Sequence, residues 1–160
     1  MPAWLEVLLL VTPATGAGLI GGIFFAFSNF VMKALAQLPA PDAARAMQNI
    51  NVTVLNPLFL AVLFGTGIFA LIAALAIPGA WSAPGTLMSR VAAALYLLGT
   101  LGVTMVFNVP LNERLAGMGQ ADARLAETWT HYVHAWTWWN HVRTIAALLA
   151  AALFAAAIAF

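Results

Sequence analysis

The sequence contains no cysteine and very few charged residues. The absence of cysteine excludes disulfide bonds, thiolate metal sites and cysteine nucleophiles. Charged residues make up 7% of the chain, whereas soluble domains average about 25%, and no basic patch is present that would bind nucleic acid. The hydrophobic fraction is 64%, which is more apolar surface than a soluble domain of 160 residues needs or can bury. We therefore expect one domain, residues 1–160, that lies in a lipid bilayer.

Four long stretches without charge predict membrane-spanning helices. No charged residue occurs in 7–32, 46–89, 91–112 or 144–160, and a spanning helix needs roughly 20 mostly apolar residues. The predicted spans are about Trp4–Phe30, Leu55–Ile77, Met88–Phe107 and Trp136–Ala159. Short loops between antiparallel spans favour an all-α fold, an integral membrane four-helix bundle with up-down-up-down topology.

The basic residues are distributed unevenly between the two ends of the predicted bundle. The first and third loops hold Lys33, Arg45, Arg114 and Arg124, and only Arg90 lies at the other end. Basic loops remain in the cytoplasm. The pattern therefore predicts a protein of the cell (inner) membrane with both termini outside.

Local signals predict where helices begin, end and pack. Asn56 followed by Pro57 is typical of a helix N-terminus, Asp42 is a candidate N-cap for a short helix in the first loop, and Pro110 is expected to end the third span. Small residues recur at every fourth position of the first span, which predicts a stripe for close helix packing: Ala14, Gly18, Gly22 and Ala26.

The polar side chains collect in one segment, "WTHYVHAWTWWNHVRT", from Trp129 to Thr144. On a helix with about 100° per residue, Trp136, Asn140 and Arg143 share one side, and the histidines share the opposite side. Alanines continue the first side and leucines the second, and small residues mark helix contacts in membranes. We therefore expect Trp136, Asn140 and Arg143 to point into the bundle.

The three histidines, His131, His134 and His141, are expected to face outward or toward another subunit, which leaves a homo-oligomer open. They are the alternative ligands for haem or copper. A di-metal site needs carboxylates from several helices, and the chain has five acidic residues in all. No metal site is favoured, and the cofactor stays unknown.

A second polar cluster, Asn108, Asn112 and Glu113, follows the third span on the side where the fourth begins. These residues are expected to meet Asn140 and Arg143 at one depth, at the mouth of a lipophilic pocket. Glu113 is the nearest acid that could pair with Arg143, because a charge inside a membrane needs a partner or a function. Two further asparagines come from the same side of the membrane, Asn51 and Asn56.

Several of these motifs occur together in a known family. The glycine-rich first span, "NP" at 56–57, "NVPLN" at 108–112 and "W..WN..RT" at 136–144 resemble the anthrone-oxygenase-like family of small four-span membrane proteins. The histidines are not part of the family pattern. That pattern falls on Asn108, Pro110, Asn112, Trp136, Trp139, Asn140 and Arg143.

The resemblance implies a membrane oxygenase or oxidase that uses dioxygen on a flat, lipophilic, anthrone-like aromatic. A base, Glu113 or His134, would take a proton from the anthrone, and Arg143 with the amides of Asn108, Asn112 and Asn140 would stabilise the enolate. The substrate-binding residues would be Trp136 and Trp139, which would sandwich the rings, and Asn56.

Two other classes of function stay open at this point. One is a haem- or metal-dependent membrane redox enzyme, which an optical spectrum would distinguish. The other is a non-enzymatic accessory or carrier protein, which would show no loss of activity in an Arg143→Ala variant. In each case the expected partners are a lipophilic small molecule and the lipid bilayer, with no nucleic acid.

Overall fold

The computed structural model describes all 160 residues and is entirely helical. Four of its helices are long and apolar enough to cross a membrane, which confirms the predicted helical membrane bundle: the chain is an integral membrane protein. The helices are α1 (Ala3–Leu35), α3 (Pro57–Ala76), α4 (Pro84–Ala116) and α5 (Leu125–Ala157). A shorter helix, α2 (Ala40–Thr53), lies between the first two.

Helix α5 is the central helix, and it packs mainly against α1 and α4. It begins at Leu125, well before the predicted span start at Trp136, so the whole tryptophan and histidine segment is helical. Its small side is buried, including Ala146, Ala147 and Ala150. The neighbouring Leu148 and Leu149 are exposed on the outer surface, as helices that meet through small residues in a membrane require.

Two of the spans contain turns of π-helix, in which the backbone hydrogen bond skips one extra residue. Phe27–Val31 forms one such turn in α1, and α4 contains two, at Leu95–Gly102 and Thr104–Asn108. π-Turns are rare and occur frequently at functional sites. All three lie in the helices that pack against α5.

The prediction that Pro110 ends the third span is wrong, because α4 continues to Ala116. Pro110 lies at the start of the α-helical segment Val109–Ala116, directly after a π-turn. A proline lacks the N–H group that bonds back along a helix and collides with the carbonyl four residues earlier. The wider π-turn accommodates both effects, so the helix passes through the proline.

The predicted cap at Asn56 is confirmed, and the one at Asp42 is wrong. Asn56 Oδ1 accepts a hydrogen bond from the Phe59 N–H at 3.0 Å, with Pro57 as the first residue of α3. Helix α2 instead begins at Ala40, so Asp42 lies inside its first turn. A carboxylate there still interacts favourably with the positive end of the helix dipole.

The closest helix contacts lie beside the predicted small-residue stripe rather than on it. A Cβ atom on Gly22 would meet nothing within 4 Å, and one on Gly18 would make only an ordinary contact with Ala151, at 3.9 Å. A Cβ on Gly21 would lie 2.8 Å from Leu148 Cδ2, and one on Gly99 would lie 2.6 Å from Ala146 Cβ. Among the glycines, Gly21 in α1 and Gly99 in α4 are therefore the positions that α5 approaches most closely.

Candidate functional site

A cavity of about 370 Å³ lies at the end of the bundle formed by the first and third loops. Helix α2 and the start of α3 form one wall, and α1, α4 and α5 form the others. Most of its lining is apolar, which is typical of sites for small lipophilic molecules. The polar side chains in the lining are few: Gln48, Asn51, Thr104, Asn112, Glu113 and Arg143.

Arg143 contributes a buried positive charge to this cavity. Its side chain is 4% exposed. Nη2 donates to Asn140 Oδ1 at 2.6 Å, and Nη1 donates to Thr104 Oγ1 at 3.3 Å. The guanidinium carbon lies 4.1 Å from the centre of the Phe24 ring and 5.1 Å from that of Trp136. The partners of Arg143 are therefore neutral amide, hydroxyl and aromatic groups, and none compensates its charge.

Asn140 fixes the position of the guanidinium. It is fully buried, and its Nδ2 donates to the Phe24 carbonyl and to Ser28 Oγ, both at 2.6 Å. With both amide hydrogens used on α1, its Oδ1 is turned toward Arg143. Ser28 belongs to the π-turn of α1, so this turn supplies part of the amide's fixed orientation.

Trp136 forms part of the cavity wall, and Asn108 supports it from behind. The Trp136 side chain is 5% exposed and packs at a tilt against Phe27, with ring centres 5.7 Å apart. Asn108 Nδ2 donates to the Trp136 carbonyl at 3.2 Å. Asn108 and Asn140 are both buried but do not line the cavity. The predicted cluster is therefore split between the cavity wall and the layer behind it.

A hydrogen-bonded chain crosses from α4 to α2 through Tyr132. Its hydroxyl donates to Asn112 Oδ1 at 2.8 Å and accepts from Asn51 Nδ2 at 3.4 Å. Both asparagines line the cavity. Tyr132 is buried on the inward side of α5, and the sequence did not predict that it bridges these two helices. The hydrogen bonds of Ser28 with Asn140 and of Thr104 with Arg143 were not predicted either, because no motif in the sequence marks these two residues.

Glu113, the nearest acid that could pair with Arg143, does not pair with it. Glu113 lines the cavity but is exposed, and the one ion pair of the structure joins Arg124 and Asp122 at 3.5 Å. The reason is depth. Arg143 contacts Thr104, and nine residues of helix between Thr104 and Glu113 span about 13 Å.

Two predicted substrate-binding residues lie outside the cavity. Trp139 stacks on Phe107 of α4, with ring centres 3.6 Å apart and planes 10° from parallel. The Asn56 amide is occupied by capping α3, through the Phe59 N–H and the Thr53 carbonyl. Neither residue lines the cavity, so the predicted sandwich of a substrate between Trp136 and Trp139 is not supported by this geometry.

The three histidines are exposed on the outer face of α5. His134 and His141 line a second, more open cleft on the other side of this helix, and no three potential metal ligands lie close together. Helix α5 therefore separates the histidines from Arg143.

One comparison with known proteins gives a match. A family model described as anthrone oxygenase matches residues 53–153, which is more than half of the chain. The chain belongs to the anthrone oxygenase family. No curated protein and no solved structure matches it.

The segment matched by the anthrone oxygenase model contains α3, α4 and most of α5, and with them Asn112, Trp136 and Arg143. It does not contain α1. Yet α1 lines the cavity through Ile23, Phe24 and Phe27. The complete cavity of this anthrone oxygenase family member therefore also needs residues outside the matched segment.

Proposed function

We propose that the protein is a membrane-embedded oxygenase that oxidises a flat, lipophilic, anthrone-like aromatic with dioxygen. The observation that carries this proposal is the buried, uncompensated guanidinium of Arg143 at the wall of an apolar cavity. A buried charge without an opposite partner is costly. An anionic intermediate beside it would supply the missing partner, so the site favours chemistry that passes through an anion.

The overall reaction fits such an anion. An anthrone carries a CH2 group conjugated through its rings with the carbonyl, and removal of one proton gives an enolate. The enolate gives its electrons to dioxygen, and a new carbon–oxygen bond forms. The O–O bond then breaks, the second hydrogen of the CH2 group is lost, and anthraquinone and water are released. One dioxygen is consumed for each CH2 group that becomes a carbonyl.

Arg143 would act by stabilising the enolate oxygen electrostatically in a site shielded from water. Asn140 would hold the guanidinium in place, and Phe24 and Trp136 would present aromatic surfaces to the substrate rings. The volume of about 370 Å³ lies within the range of ligand pockets. Its mouth at the end of the bundle would admit a substrate that partitions into the membrane interface.

Of the two candidate bases, Glu113 has the more suitable position. Glu113 lines the cavity and is exposed at its mouth, from which a proton could pass to water. His134 lines the cleft on the other side of α5. We therefore assign proton removal to Glu113 in this proposal.

The test uses the full-length protein in detergent with a hydroxylated anthrone. Anthraquinone absorbance and oxygen uptake are followed together, and spontaneous oxidation without protein is subtracted. We expect one dioxygen per anthraquinone, and a fall in kcat on the order of 100-fold in Arg143→Met, as for the loss of one oxyanion-stabilising group. Arg114→Met, which removes an exposed charge near the same end, is the control.

Equal activity of the Arg143→Met and Arg114→Met variants would contradict the role of Arg143. No oxidation above the spontaneous rate, together with saturable binding of the anthraquinone, would instead indicate a carrier for such molecules.

A further inference from the structure

A second cleft, of about 410 Å³, lies on the outer surface of the bundle between the C-terminal part of α1 and the outward side of α5. Lys33 of α1 and His134, Trp138 and His141 of α5 contribute to its lining. Helix α5 separates it from the cavity that contains Arg143. The proposed oxygenase function makes no use of this cleft.

The cleft carries an uncompensated positive charge. Lys33 is the only charged residue in its lining, and it is exposed and takes part in no ion pair. His134 and His141 are exposed on the same side of α5, about 10 Å apart along the helix axis. Their ring nitrogens add hydrogen-bonding groups, and no carboxylate lines the cleft. The ligand that complements this lining is a single anion with several acceptor oxygens.

The position of the cleft indicates where that anion comes from. Lys33 lies in the last turn of α1, and the Trp138 side chain is 65% exposed. Tryptophan and lysine in these positions are typical of the membrane–water interface. Further along the same side of α5, Ile145, Leu148 and Leu149 are exposed toward the bilayer. A headgroup in the cleft would therefore continue into acyl chains along an apolar helix surface.

We propose that this cleft binds the phosphate of an anionic phospholipid, with Lys33 contacting the phosphate and His134 and His141 donating hydrogen bonds to it. Basic pockets between membrane helices at the interface bind lipid phosphates in this manner. The acyl chains lie along Ile145 and Leu148.

The test measures the melting temperature of the full-length protein in detergent, with added phosphatidylglycerol or phosphatidylcholine of the same acyl chains. A ligand that binds only the folded protein raises its melting temperature. We expect phosphatidylglycerol to give the larger rise. Lys33→Gln and His141→Gln should each remove at least half of the difference between the two lipids. Arg45→Gln, which removes an exposed charge from the same end of the bundle but outside the cleft, should leave it unchanged.

Three results would overturn the proposal. Equal rises with the two lipids would show that the cleft does not select a headgroup with a net negative charge. If Arg45→Gln and Lys33→Gln reduced the difference between the two lipids equally, the difference would reflect a general effect of net charge. A rise of the same size with glycerol phosphate alone would show that a soluble phosphate, and not a lipid, is the ligand. Because these measurements need no substrate, they stand apart from the test of anthrone oxidation.

Discussion

At the scale of single residues, Asn140 determines where the charge of Arg143 lies. Its side chain contacts α1 through two hydrogen bonds and Arg143 through a third. An aspartate at this position would keep an acceptor for the guanidinium, but it would donate no hydrogen bond to α1 and would add a negative charge beside Arg143. The guanidinium would then be compensated by the protein itself.

Asn140→Asp should therefore lower kcat for anthrone oxidation by about 100-fold, because the enolate would lose the uncompensated charge that stabilises it. Asn49→Asp, which adds the same charge at an exposed position of α2, is the control and should behave like the wild type. The measurement is the rate of anthraquinone formation at saturating substrate. Wild-type activity in Asn140→Asp would mean that the reaction does not depend on the charge of Arg143.

The two neighbouring tryptophans should differ in their effect on ligand binding. Trp136 lines the cavity, whereas Trp139 stacks on Phe107 outside it. We expect Trp136→Leu to weaken binding of an anthraquinone about fivefold, because an aromatic contact contributes about 1 kcal/mol beyond simple burial. Trp139→Leu should leave the Kd unchanged in the same absorbance titration. If Trp139→Leu weakened binding and Trp136→Leu did not, the ligand would lie on the outer side of α4.

The inward positions of Trp136, Asn140 and Arg143 follow from the sequence, because the alanines further along α5 mark its buried side. The hydrogen-bond partners of these residues do not follow from the sequence. Ser28 and Thr104 reach them from π-turns, which no local residue pattern indicated. Glu113 does not pair with Arg143, because Arg143 lies beside Thr104, nine residues before Glu113 along α4.

At the scale of helices, Gly99 sets the distance between α4 and α5. Gly99→Ala would bring two Cβ atoms to 2.6 Å, and neither atom is the end of a flexible side chain. We expect a loss of about 1–3 kcal/mol of stability, the usual cost of an overpacked contact. Gly22→Ala, where a Cβ meets nothing within 4 Å, should not lower the melting temperature. Equal melting temperatures of the two variants would show that α4 and α5 separate easily.

The lengths of the apolar segments indicated the four spans. They did not indicate that α4 continues as a helix past Pro110. A proline after an apolar run is usually read as a helix end, because its ring disfavours the helical geometry. Here the preceding π-turn removes that conflict. This turn packs against α5, and no residue pattern in α4 indicates it.

At the scale of the whole molecule, we propose that both termini lie outside, because four of the five basic residues of the loops are in the first and third loops. The chain has no cysteine, so each single-cysteine variant carries one thiol. In intact cells Ser82→Cys should react with an impermeant maleimide and Ala116→Cys should not, whereas permeabilised cells should label both. Labelling of Ala116→Cys alone in intact cells would reverse the orientation.

One buried residue connects the lining of the outer cleft with that of the inner cavity. Ser28 belongs to the lining of the outer cleft, and Arg143 belongs to the lining of the inner cavity. Asn140 links these two residues, because it donates a hydrogen bond to Ser28 and accepts one from Arg143. A displacement of Ser28 toward the bilayer would release one of the two bonds that hold Asn140, and the guanidinium would gain freedom to turn. Through this short relay, the composition of the surrounding membrane could tune the reactivity of the interior.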